Sequence, residues 1–140
     1  MDYRKFGDTY VVRLDRGEEI LTQVKLLAEQ EHIRLASVQA LGAVDDFTVG
    51  VYNTKTKVYA SNTFQGAFEI VSLTGTIDTM DGKPYLHLHM SAGDSEGRVF
   101  GGHLNRAVIS ATCEMIVRCI DGEIDRAKDE SIGLNLFRFL

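Results

Sequence analysis

The sequence predicts a single α/β (α+β) domain that spans residues 1–140 and contains one main amphipathic helix among many strands. Three observations favour this class. One short segment near the amino terminus has apolar residues at helical spacing, most of the remaining chain shows strand-length apolar and alternating runs, and an Asp-Gly pair joins two of them. With 140 residues and 44% apolar content, the chain is long enough to bury one core.

A first strand and the helix are predicted in the first quarter of the chain. The run TYVVRL, residues 9–14, is a strand-length apolar segment. Asp15 is the predicted helix N-cap, with Glu18 three residues later as in a capping box. The apolar stripe that follows at helical spacing consists of Ile20, Leu21, Val24, Leu27 and Ala28. His32, just beyond the helix, is interpreted as a solvent-exposed residue near the carboxyl end of the helix dipole.

Strand-like runs follow from Ile33 onward. They are LASVQALGAV, FTVGVY, VYASNTF and AFEIVSLTGTI, with the turn NTKTK between the second and the third. The tetrapeptide MDGK, residues 80–83, predicts a tight hairpin turn that leads into the segment YLHLHM.

The last clear strand is predicted over residues 107–120. Its odd positions from Ile109 to Cys119 are apolar and its even positions include Glu114, so this carboxylate is expected to point away from the core. The tail from Glu123 is charged and then apolar, which predicts a docking segment, with a neighbouring subunit as one candidate surface.

Three of the four histidines lie between residues 85 and 104. In a strand that starts at Pro84, His87 and His89 share one face, and their Cβ atoms lie about 7 Å apart, a span that two imidazoles can close onto one zinc ion. His103 follows two glycines, which permit a close approach of strands or a positive φ. Three imidazoles with an open position are typical of a catalytic or exchangeable zinc site. The alternative is a polar strand face with hydrogen-bonded or exposed imidazoles.

Two carboxylates are further candidates. Glu69 is flanked by apolar residues and is predicted to be either a buried acceptor or general base, or else an ion-pair partner or an exposed edge residue. Glu114 is predicted to line the metal cleft or to face water. If the protein is a zinc enzyme, either carboxylate could carry a proton, with Arg98 as an anion anchor.

Composition excludes several other functions. The net charge is −5, and the basic residues are scattered, which argues against electrostatic binding of nucleic acid by this protein alone. Cys113 and Cys119 are expected to be reduced, because six residues along a strand place them about 20 Å apart. The absence of a signal-like or membrane-spanning apolar run predicts a soluble cytoplasmic protein. No phosphate loop, nucleophile elbow or Cys-x-x-Cys motif occurs.

The segment LHLHMSAGDSEGRVFGGHL, together with VISATCEMIV, GAFEIVSLTGTI and ALGAVDDFTVGVYN, resembles the PPC (plant and prokaryote conserved) domain over residues 9–120. The resemblance implies a strongly curved, largely antiparallel sheet and a homotrimer. It also implies a stand-alone prokaryotic member of a group described as DNA-binding, with zinc held by His87, His89 and His103. The fold is similar to that of acetolactate decarboxylase, a zinc enzyme with a three-histidine site.

Two departures from the plant members weaken the implied DNA and protein partners. Their minor-groove-binding Arg-Gly-Arg-Pro element has no counterpart here, and Ala67 stands where they carry arginine. Three hypotheses follow: a trimeric DNA-associated regulatory module, a zinc-dependent enzyme acting on a small carbonyl or carboxylate compound, and a structural role of the histidines and acids in trimer contacts.

Overall fold

Eight strands and one helix form the described part of the computed structural model, residues 1–139. Their bounds are β1 Asp2–Phe6, β2 Thr9–Asp15, α1 Ile20–Gln30, β3 Ala36–Asn53, β4 Val58–Met80, β5 Lys83–Gly93, β6 Val99–Cys119, β7 Asp125–Asp129 and β8 Leu134–Arg138. The predicted α+β class with one curved sheet is confirmed. Within residues 1–139, no helix combines the length and the apolar character needed to cross a membrane.

The sheet is antiparallel except for a single parallel bridge between β4 and β7. Its order is β1-β2-β6-β3-β4-β7-β8, and β5 pairs with both β4 and β6. Strands β3, β4, β5 and β6 therefore form a closed circuit of pairings, which accounts for the curvature of the sheet.

Helix α1 covers the core with the predicted apolar stripe, since Ile20, Val24, Leu27 and Ala28 are buried and Leu21 is partly buried. The predicted N-cap was wrong. Asp15 ends β2, and the carboxylate of Glu19 instead accepts hydrogen bonds from the backbone N–H groups of Leu21 and Thr22. Glu19 also accepts from the N–H of Ala107 on β6, so the cap attaches the helix to the sheet.

The four predicted middle runs are two long bent strands. β3 combines the first two runs and β4 combines the last two, with register shifts at residues 40–42 and 44–46 of β3. Gly42 permits the first bend, because a Cβ on it would lie 2.3 Å from the carbonyl oxygen of Thr112. The hairpin at MDGK is confirmed: Asp81 and Gly82 have φ angles of 52° and 74°, and Met80 pairs with Lys83.

Strand β6 begins at Val99, eight residues before the predicted start, and so contains the Gly-Gly-His segment. Cys113, Met115 and Val117 are buried and Glu114 is exposed, as predicted. Ala111 is exposed, which corrects its assignment to the core. The cause is the pairing of Gly42 with Cys113 and of Val44 with Ile109, which leaves extra residues of β6 in a bulge.

The tail docks on its own chain through the β7–β8 hairpin. Arg126 on β7 forms a buried two-bond ion pair with Asp78 on β4, with Nε–Oδ1 and Nη2–Oδ2 distances of 2.6 and 2.9 Å. The guanidinium carbon lies 4.6 Å from the ring centre of Tyr85 and 4.4 Å from that of Phe137. Leu140, the last residue of the predicted docking segment, lies outside the described residues.

Replacing Arg126 by Met is expected to lower the free energy of unfolding by about 3–5 kcal/mol, because the carboxylate of Asp78 would stay buried without its partner. Urea denaturation measures this loss. Arg138→Met is the matched control on the same hairpin. Its ion pair with Asp125 is long, at 3.7 Å, and Arg138 is 56% exposed, so a loss of at most about 1 kcal/mol is expected. Equal losses in the two variants would contradict the expected cost of leaving the Asp78 carboxylate buried without a partner.

Candidate metal centre

The three clustered histidines meet on one face of the sheet. His87 and His89 project from β5, and His89 pairs directly with His103 on β6. The ring centres lie 5.1 Å apart for His87 and His89, 5.4 Å for His87 and His103, and 5.6 Å for His89 and His103. One nitrogen from each ring can be chosen so that all three lie within 4.8 Å of one another. The structure therefore brings together the three residues that the sequence singled out.

Glycines allow the strands that carry these rings to approach closely. A Cβ on Gly101 would lie 2.8 Å from the carbonyl oxygen of Met90 on β5, and one on Gly102 would lie 2.6 Å from that of Gly50 on β3. On the other side of β5, a Cβ on Gly75 of β4 would lie 2.0 Å from the carbonyl oxygen of His87. Of the two roles that the sequence left open for the Gly-Gly pair, close approach is the one observed.

The opposite face of β5 anchors the strand in the core. Leu88 and Met90 are 1% and 2% exposed, so the alternation forces the neighbouring histidines onto the outer face. The loop to β6 is closed by Asp94, whose carboxylate accepts from the N–H groups of Glu96 and Arg98 and from the Arg98 side chain. Partial burial opposes ionisation, but these hydrogen bonds hold the pKa of Asp94 below its ordinary value.

The surroundings disfavour the charged form of two of the imidazoles. Burial lowers the pKa of His87, and the positive charge of Arg126 and the other two histidines lower it further. Burial and the charge of His89 likewise lower the pKa of His103. A metal ion requires neutral imidazoles, so both effects favour its binding at neutral pH.

The donor set fits zinc. Tetrahedral zinc with Zn–N distances of about 2.0–2.1 Å needs nitrogens about 3.3 Å apart, so nitrogens within 4.8 Å must close by at most about 1.5 Å, which side-chain rotation can supply. The cluster contains no carboxylate and no thiolate, and His89 is exposed. Three nitrogen donors with one open side are the set that exchangeable or catalytic zinc sites use.

Several residues beside the histidines carry no local sequence signal. The ring of Tyr59 on β4 lies edge-on to His103, with 6.3 Å between the ring centres, and its hydroxyl donates to Asn105 Oδ1 at 2.6 Å. Arg126 approaches from the tail hairpin on the His87 side. These neighbours come from segments far apart in the chain, and only the strand register reveals them.

The structure does not bring the other candidate residues to this cluster. Glu69 is exposed and pairs with Ala43 and Gly93, so exposure at the surface is the one observed among the alternatives that the sequence left open for it. Glu114 is exposed on β6, 11 residues beyond His103. Arg98 lies at the tip of the β5–β6 hairpin, where it pairs with Asp94 at 2.8 Å and Glu96 at 3.2 Å.

The fold and the histidine-bearing segments identify the family of the chain. Residues 1–121 match the model of the Plants and Prokaryotes Conserved (PCC) domain, and the chain belongs to this family.

Solved structures share the fold of this chain, and a curated relative is similar to it in sequence. A proposed DNA-binding protein from Bacteroides thetaiotaomicron has a TM-score of 0.96 and 33% identity, covering 99% of this chain and 96% of that one. A metal-containing protein from Archaeoglobus fulgidus has a TM-score of 0.89 and 33% identity, covering 99% of both chains. The chain is also 26% identical over 127 residues, 89% of its length, to the bifunctional protein GlmU of a Synechococcus species, and it spans only 19% of that protein.

In the metal-free protein, the imidazole proton resonances of His87 and His103 are expected to titrate below the ordinary pKa of 6.5, since burial disfavours their charged forms. The unfolded chain then binds these protons more readily than the folded one. The free energy of unfolding should therefore fall as the pH is lowered through 6.5, and level off below the two lowered pKa values.

Nuclear magnetic resonance titration, with His87→Gln and His103→Gln used for assignment, measures both values. A pKa above 6.5 for either ring would contradict the burial that the structure shows.

Proposed function

We propose that this protein is a homotrimeric, DNA-associated regulatory member of the PCC family that holds a zinc ion through His87, His89 and His103. The observation that carries the metal part of the proposal is the convergence of three imidazole nitrogens to within 4.8 Å on adjacent strands. The metal-containing relative from Archaeoglobus fulgidus supports it, since that protein shares the fold over 99% of both chains. We expect the protein to act in the cytoplasm, where its two free cysteines would stay reduced.

Zinc is favoured over magnesium and calcium by the donor chemistry. Imidazole suits zinc, copper, nickel and iron, whereas magnesium and calcium prefer oxygen ligands, which the cluster lacks. Zinc also tolerates a three-nitrogen site with a fourth position open to water or a ligand.

Wild-type protein purified without an affinity tag is expected to contain about one zinc per chain. His89→Ala is expected to lose most of this zinc, because only the imidazole nitrogens of His87 and His103 remain as ligands. Inductively coupled plasma mass spectrometry measures the content. His32→Asn is the matched control, because His32 lies outside the cluster and asparagine tolerates its φ of 53°. Equal zinc content in His89→Ala and wild type would refute the site.

Association between chains is supported by exposed apolar side chains near the tip of the β5–β6 hairpin. Val71 and Val99 are 60% and 53% exposed, and both lie over Gly93, with their Cγ2 atoms 3.4 and 3.7 Å from the position of a Cβ there. Apolar patches of this kind mark interaction surfaces.

Sedimentation equilibrium is expected to give a mass of three times the 15.6 kDa chain. Substituting both Val71 and Val99 with Asp is expected to shift this mass towards the monomer, because charges would be buried at the contact. Val11→Asp, an exposed position on β2, is the control that should keep the trimer. A wild-type monomer at micromolar concentration would rule out the assembly.

The DNA association is supported by the description of the relative from Bacteroides thetaiotaomicron. The net charge of −5 implies that duplex binding by the protein alone is weak and falls further as salt rises. The same sedimentation experiment with a labelled duplex at low and physiological salt tests this weak, salt-dependent binding. Tight binding that salt does not weaken would show that the protein contacts DNA by means other than ionic contacts with the phosphates.

A zinc-dependent enzyme acting on a small carbonyl or carboxylate compound is the second candidate. The observation that favours it is a groove beside His103, between α1 and the sheet. The proton carriers named for it from the sequence, Glu69 and Glu114, lie outside the histidine cluster.

A further inference from the structure

A groove of about 390 Å³ opens beside the histidine cluster, between α1 and strands β5 and β6. The residues that line it are Leu21, Thr22, Lys25, Leu86, His103, Leu104 and Asn105. Three leucines form apolar walls, and His103 belongs to both the groove and the metal centre. The groove is thus large enough for a small molecule beside His103.

The charge of the lining favours an anion. Lys25 is the one permanently charged residue among those seven, and none of them is acidic. An exposed carboxylate, Glu29, lies 3.8 Å from the Lys25 ammonium one helical turn away, and both side chains are at least half exposed. Such a pair is weak, so Glu29 competes little with a ligand.

The polar groups in the groove have defined roles. The amide oxygen of Asn105 accepts from the hydroxyl of Tyr59, so the amide NH2 group is the part of Asn105 that remains for a ligand. The hydroxyl of Thr22 is engaged by the cap residue Glu19 at 2.7 Å. The groove therefore offers an ammonium and an amide donor, and no carboxylate acceptor of its own.

We propose that this groove binds a short aliphatic carboxylate, with its oxygens on the Lys25 ammonium and the Asn105 amide and its hydrocarbon part against Leu21, Leu86 and Leu104. Lys25 takes the anchoring role that the sequence assigned to Arg98, which instead pairs with the acids of its own loop. The inference goes beyond the proposed metal centre, because the carboxylate is held by groups other than the histidine cluster and the two sites share only His103, which lines the groove.

Butyrate is the probe, and two control compounds separate the contribution of its charge from that of its hydrocarbon chain. Butanol has the same apolar chain without the charge, and sulfate has charge without the chain. In a heteronuclear nuclear magnetic resonance titration, butyrate is expected to shift the backbone amide resonances of Thr22, Leu104 and Asn105. The two controls are expected to shift these resonances less at equal concentration. Equal shifts with sulfate would reduce the site to non-specific ion pairing and overturn the proposal.

Substitutions test the two donors. Lys25→Met keeps the aliphatic stem and is expected to weaken butyrate binding about five- to tenfold, while Lys25→Arg retains it. Asn105→Asp, which has the same shape, places an acid in the groove and is expected to abolish binding. Lys55→Met, in the β3–β4 turn away from the groove, should leave the dissociation constant unchanged. An unchanged constant in Lys25→Met and Asn105→Asp would overturn the proposal.

The metal state distinguishes this inference from the metal proposal. Titrations are made on metal-free and zinc-loaded protein, and zinc is expected to tighten butyrate binding without altering its dependence on Lys25. If the wild-type protein takes up no zinc, the metal proposal fails and the metal-free titration still decides whether the groove binds butyrate. If zinc binds but butyrate gives no shift localised to the groove, the groove inference alone fails.

Discussion

The candidate site depends on the close approach of β5 to its two neighbouring strands. The backbones are too close for a Cβ at Gly75 and Gly101, which face β5, and also at Gly102, which faces β3. The resulting pairing of β5 with β6 sets His89 opposite His103. A side chain at any of these positions would collide with a carbonyl oxygen, which cannot move aside as the end of a flexible side chain can. The histidines supply the donor atoms, but the glycines determine whether those atoms meet.

The buried ion pair constrains the same strand from its other end. Arg126 reaches across from β7 to Asp78 and stacks on Tyr85, which lies two residues before His87 on the same face of β5. Desolvation offsets much of the attraction in such a pair, so large net stability is not its expected contribution. Its evident effect is to fix the position of the tail hairpin and to hold a positive charge near His87, where that charge lowers the imidazole pKa.

Features that depend on local pattern were predictable, and features that depend on distant segments were not. The buried helix stripe, the Asp-Gly turn and the outer-face histidines follow from residue spacing alone. The prediction of the helix N-cap failed because the carboxylates of Asp15 and Glu19 can both accept hydrogen bonds from a helix N-terminus. The pairing of Asp15 with Thr112 places Asp15 in β2 instead. Strand β7 was missed because its sequence, DRAKD, shows no apolar alternation, and the buried ion pair of Arg126 holds it in place. Lys25 and Asn105 share a groove only because α1 packs beside β6.

The acidity of the chain bears differently on its proposed ligands. Many arginines have an acid of their own chain close by, which lowers the positive potential around them; these are Arg4, Arg13, Arg34, Arg98, Arg106, Arg118, Arg126 and Arg138. A polyanion such as DNA responds to charge summed over a wide surface, and here that sum is negative. A small carboxylate responds to the few groups within hydrogen-bond reach, and in the groove these are an ammonium and an amide. Metal binding by the histidines likewise depends on the nearest donor atoms and not on the net charge of the whole chain. The charge distribution therefore favours the binding of small ligands at the histidine face over DNA binding by the protein alone.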